Sequence, residues 1–99
     1  MPARDKVYDA IDGERDYQQE KGQREGWLPN DQKSIGDFMI FMEEYMRDGR
    51  DSYSHLAHDR GGNEAALNAI RKVVALGVAC METHGALTRA EEEAKKQAS

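Results

Sequence analysis

Residues 34–48, Ser-Ile-Gly-Asp-Phe-Met-Ile-Phe-Met-Glu-Glu-Tyr-Met-Arg-Asp, decide the fold. Ile35, Phe38, Met39, Met42, Tyr45 and Met46 recur at steps of three and four, the period of a helix and not of a strand. Ser34 followed three positions on by Asp37 reads as an N-terminal cap with an acid in the first turn. Ile40 and Phe41 add apolar surface on other sides. One core-facing stripe needs less, so the stretch predicts a second buried contact such as a subunit interface.

The chain around this helix is short. Its 99 residues suffice for one domain. Hydrophobic residues make up 38% and charged residues 33%, which suits a small helical protein with a lean core. Cys80 is the one cysteine, so an internal disulfide framework and a cysteine-rich zinc site are excluded. No apolar run reaches the roughly 18 residues of a membrane span, and no apolar signal core opens the chain. A cytoplasmic protein with no membrane partner is expected. The net charge of −5 argues against general nucleic-acid binding. That whole surplus falls in residues 4–21 and 34–48, while the other segments cancel.

Residues 4–21 are helix-compatible, with Val7, Tyr8, Ile11 and Tyr17 expected to face inward. Gly22, Gly26, Pro29, Asn30 and Asp31 mark residues 22–33 as a loop, which Trp27 anchors on the core. Gly49 is expected to close the second helix. Residues 49–62 are polar and end on the Gly61-Gly62 break. Within them His55 and His58, beside Asp59, are a weak metal pair with no third histidine nearby. Asn63 is expected to cap a third helix over 63–84, mostly apolar and central to the domain. Cys80 lies in its most apolar stretch and reads as a buried small residue. Thr88 caps a last, charged helix over 89–97. The expected architecture is all-α: three main helices in a single domain over 1–87, then a charged helix or frayed tail over 88–99.

Two polar faces are candidate sites. Asp37, Glu44 and Asp48 share one side of the second helix, and carboxylates a turn apart suit a hard cation such as Mg²⁺. Glu64, Asn68 and Arg71 share a side of the third helix. If these faces oppose one another, Arg71 or Lys72 and a metal would neutralise a phosphate between them. Glu14, Gln18 and Lys21 share a face of the first helix. They suit the polar wall of a nucleotide pocket, Gln18 reading a base or ribose and Lys21 a phosphate. The bland reading of each face is solvent exposure.

Three segments taken in order resemble a family. They are Glu14-Arg15-Asp16-Tyr17-Gln18 with Lys21, the Ile-Gly-Asp-Phe-Met-Ile-Phe-Met-Glu-Glu-Tyr-Met-Arg-Asp of residues 35–48, and the Ile-Arg-Lys-Val-Val-Ala-Leu-Gly-Val-Ala-Cys-Met-Glu-Thr-His-Gly of residues 70–85. Together they look like small MazG-like proteins, many of them from bacteriophages. The resemblance implies an all-α bundle completed by homo-oligomerisation. It also implies a Mg²⁺-bound nucleoside triphosphate held between helices and hydrolysed to monophosphate and pyrophosphate, in a bacterial host's cytoplasm if the chain is phage-encoded. The family takes its metal ligands from a Glu-x-x-Glu motif and a Glu-x-x-Asp motif. Here Arg47-Asp48 follows Glu43-Glu44 where a later glutamate is expected, and Asn68-Ala69-Ile70-Arg71 stands in place of the second motif. The expectation is a nucleotide-binding protein of this type. It is either a divergent Mg²⁺-dependent pyrophosphohydrolase or a non-catalytic oligomer that sequesters a nucleotide signal or inhibits a protein partner. Gln18, Lys21, Arg71 and Lys72 would bind the nucleotide, and Asp37, Glu44 and Asp48 the metal.

Overall fold

The structure is a computed structural model that describes residues 2–55 and 60–98. It is all-α. The helices are α1 (Pro2–Glu25), α2 (Ile35–His55), α3 (Arg60–His84) and α4 (Arg89–Ala98), with a 3₁₀ turn at Asn30–Gln32 between α1 and α2. No strand occurs among the described residues.

Helix ends follow local chemistry. The Ser34 hydroxyl accepts from Asp37 N–H at 3.0 Å, and Asp37 Oδ2 accepts from Ser34 N–H at 2.9 Å. This reciprocal pair satisfies two donors that the first turn of α2 would leave orphaned. Thr88 caps α4 in the expected way, its Oγ1 accepting from Glu91 N–H at 3.1 Å. α1 does not stop at residue 21. It ends where Gly26 takes φ 70° and Trp27 N–H donates back to Gly22 C=O at 2.8 Å. That six-to-one bond over a left-handed residue is a Schellman ending.

Two expected breaks are absent. α2 passes straight through Gly49, because the missing side chain serves a close approach and not a cap. A Cβ built on Gly49 would overlap the Cβ of Ala69 on α3. Farther along the same contact, the Met42 methyl lies 3.5 Å from the position of a Gly77 Cβ. α3 begins at Arg60 and not at Asn63, and it takes in Gly61 and the buried Gly62. His55 is the last residue of α2, while His58 and Asp59 lie outside the described residues.

α3 is the central element. α1, α2 and the 3₁₀ turn each pack on it; among the described residues α1 and α2 do not pack on each other, and α4 packs on none of the other elements. The buried apolar set among the described residues is Phe38, Ala69, Ala75 and Ala79. Val7, Tyr8 and Tyr17, expected inward, are exposed, and Ile11 is half-buried. The inward position on α1 belongs instead to Glu14, only 8% exposed. Cys80 is half-buried. The Cα radius of gyration is 16.0 Å, against about 13 Å for a compact domain of this length. The chain is thus extended, and much of its apolar surface remains uncovered.

Candidate functional site

Because α1 and α2 both pack on α3 and not on each other, a space opens between them. A cavity of about 310 Å³ lies there, lined by Glu14, Tyr17, Gln18 and Lys21 of α1, Trp27, Tyr45 of α2, and Arg71 and Lys72 of α3. All four sequence-derived nucleotide residues, Gln18, Lys21, Arg71 and Lys72, fall on its wall.

Arg71 is held from two sides. Its Nε donates to Glu14 Oε1 at 2.8 Å, and its Nη1 to Asn68 Oδ1 at 2.8 Å. The guanidinium keeps further N–H donors for a ligand. Glu14 offsets the charge of Arg71, so the two lysines leave the cavity net positive. Among the described residues neither lysine forms an ion pair. Lys21 Nζ sits 5.5 Å from the Trp27 ring centre and 5.8 Å from that of Tyr17, and Lys72 Nζ 5.8 Å from that of Tyr45. Ring faces attract these ammonium groups without neutralising them.

Gln18 adds a directional feature. Its Nε2 donates to Lys72 C=O at 3.4 Å, which fixes the orientation of the amide. Its Oε1 is buried and has no hydrogen-bond partner. An orphaned acceptor costs free energy until a donor reaches it.

The chain builds this wall locally. Gly26 turns the backbone so that Trp27 folds back over Gly22, where an added Cβ would lie 3.2 Å from Trp27 Cε3. The sequence reading placed Trp27 as a loop anchor and Tyr45 as core. Both instead face the cavity. The available signal was the pair of glycines bracketing the ring's landing place.

The carboxylates of α2 fare differently. Asp37 is engaged in the cap with Ser34. Glu44 lines a separate, shallow concavity formed by α2 alone, with Ile40, Glu43, Met46, Arg47 and Arg50. Asp48 is exposed. Asp37 and Glu44 are seven residues apart, about 10 Å along the helix, too far to share one ion. Among the described residues no group of three or more His, Cys, Asp or Glu gathers. The supposed opposition of the α2 acids and Arg71 is therefore corrected. Arg71 turns to α1, and its partner is Glu14. Asp37, with its carboxylate in the cap, does not join Glu44 and Asp48 in one three-carboxylate centre.

A second polar cluster closes the far end of α3. Arg15 donates to both Glu82 oxygens, at 3.0 and 3.2 Å. Those hydrogen bonds hold the Glu82 carboxyl below its ordinary range, against a smaller opposing effect of burial. His84 Nε2–H donates to Lys33 C=O at 2.7 Å, and its ring meets Phe38 edge-on at 6.0 Å. Burial, and then the charge of Arg15, lower the Lys33 ammonium pKa. This cluster ties the 3₁₀ turn and the start of α2 to the end of α3. No protein-family model, curated protein or solved structure matches the chain.

Proposed function

We propose that this is a nucleotide-binding protein that holds its ligand in the cavity lined by α1, α2 and α3. The observation that carries the reading is the meeting of Lys21, Lys72 and Arg71 with three aromatic rings and Gln18 in one cavity. Phosphate oxygens pair with the two lysines and with the remaining Arg71 donors. Gln18, on the cavity wall, reads the base or ribose. Tyr17, Trp27 and Tyr45 supply flat apolar surface for the base.

Binding without turnover is the form favoured here. The cavity contains one carboxylate, Glu14, and that group is committed to Arg71. This supports the sequestering member of the pair of expectations raised by the MazG-like resemblance.

The test is calorimetric titration with nucleoside mono-, di- and triphosphates and with pyrophosphate, in chelator and again with Mg²⁺, followed by chromatography of the ligand. Binding in chelator, with the nucleotide recovered intact, supports the proposal. No heat with any of these ligands overturns the nucleotide reading. Release of pyrophosphate overturns the non-catalytic form.

A further inference from the structure

α2 carries an apolar stripe that its own chain does not cover. Met39, Met46 and Tyr53 follow one another at seven-residue intervals and are 56%, 41% and 44% exposed. Seven residues bring a helix back to nearly the same side, so the three form one continuous line. They lie at least 60° around α2 from the buried Phe38, by about 100° per residue. Glu43 and Arg50 flank the line, also seven residues apart and both exposed. Among the described residues neither has a side-chain partner.

We infer that a second copy of this chain docks here, with the two α2 helices antiparallel and the twofold axis passing through Met46. The sequence positions are self-complementary about that point. Met39 and Tyr53 lie equally far on either side, so Met39 of one copy meets Tyr53 of the other, and Met46 meets its own equivalent. The same operation brings Glu43 of one copy to within one residue of the level of Arg50 of the other, twice over. An isologous interface requires this property: each patch complements itself under rotation. A parallel twofold carries the Glu43–Arg50 edge of one copy to the opposite side of the seam from that of the other, so neither pair forms. The charge pairing is therefore available to the antiparallel arrangement alone. The lean core and extended shape supply the drive, since docking covers apolar surface that the single chain leaves in water. Tyr45, the α2 residue that lines the cavity, lies on a different side of the helix. The interface and the ligand site are thus separate questions.

Analytical ultracentrifugation tests the arrangement. The wild-type chain sediments at twice its 11.2 kDa mass at micromolar concentration. Glu43→Arg alone, and Arg50→Glu alone, each reduce that to the mass of one chain with helical circular dichroism retained. Mixing these two variants restores the doubled mass, and so does combining both changes in one chain. In a Cys80→Ser background, Met46→Cys forms a disulfide-linked dimer on mild oxidation. A wild-type chain that stays monomeric overturns the proposal. So does a dimer that tolerates both single charge reversals and fails to cross-link through position 46.

Discussion

The Arg71 guanidinium donates through Nε to the Glu14 carboxylate at 2.8 Å and so joins α3 to α1. Glu14 is buried and Arg71 is about one-third exposed, so the pair is partly shielded from water. Removing the carboxylate leaves the guanidinium without its anchor. Glu14→Ala is expected to destabilise the fold by about 1–3 kcal/mol, as loss of a charged hydrogen-bond partner does. Urea denaturation measures it. An unchanged midpoint would show that the pair contributes nothing.

Gly49 and Ala69 bring α2 and α3 into close approach. Gly49→Ala is expected to destabilise by about 1–3 kcal/mol through overpacking, exceeding the roughly 1 kcal/mol that alanine gains in helix propensity. Ala69→Gly removes the opposing methyl, and adding it to Gly49→Ala should recover part of the loss. The double-mutant cycle reports coupling between the two sites. Purely additive values would mean that the contact is not close.

Trp27 is the one tryptophan and lies on the cavity wall. Its fluorescence should respond when a nucleotide enters. Lys72→Ala should weaken that response about tenfold in Kd, the scale of one charge-assisted contact. Lys95→Ala, on α4 away from the cavity, should leave it unchanged. Equal effects from the two lysines would refer binding to overall charge.

Arg15 and Glu82 predict an acid limb in the stability profile. The folded Glu82 carboxyl titrates below its ordinary value of 4.5. The unfolded chain therefore takes up the proton first. The contribution is complete above the unfolded pKa and is lost as pH falls through the folded one. Glu82→Gln should lower Tm at pH 7 and flatten the decline of Tm below pH 4.5. Because Glu82 is half-exposed, the change should shrink in high salt.

What the sequence made legible was local. Ser34 with Asp37, and Thr88 ahead of Arg89, announce their helix starts through short-range bonds that need no tertiary partner. The all-α class followed from the spacing of Ile35 through Met46. Gln18, Lys21, Arg71 and Lys72 were legible as candidates by residue type, and they share one cavity. The role of Gly49 was not legible. A glycine that ends a helix and one that admits a neighbour look alike until the neighbour is placed. The same holds for Glu14, whose burial depends on Arg71 approaching from another helix. Asp37 shows the opposite error. Its carboxylate looked available for a metal, yet the backbone beside it had already claimed it.

The junction between α1 and α3 has one more consequence. Arg71 to Glu14, Arg15 to Glu82 and Gln18 to the Lys72 carbonyl are all polar links, whereas α2 meets α3 through glycine, alanine and methionine. The two halves of the molecule therefore answer to different solvents. Ions loosen the first seam and leave the second nearly untouched. Since α1 supplies Glu14, Tyr17, Gln18 and Lys21 to the cavity, that wall rests on the seam whose ion pairs are the more sensitive to ionic strength.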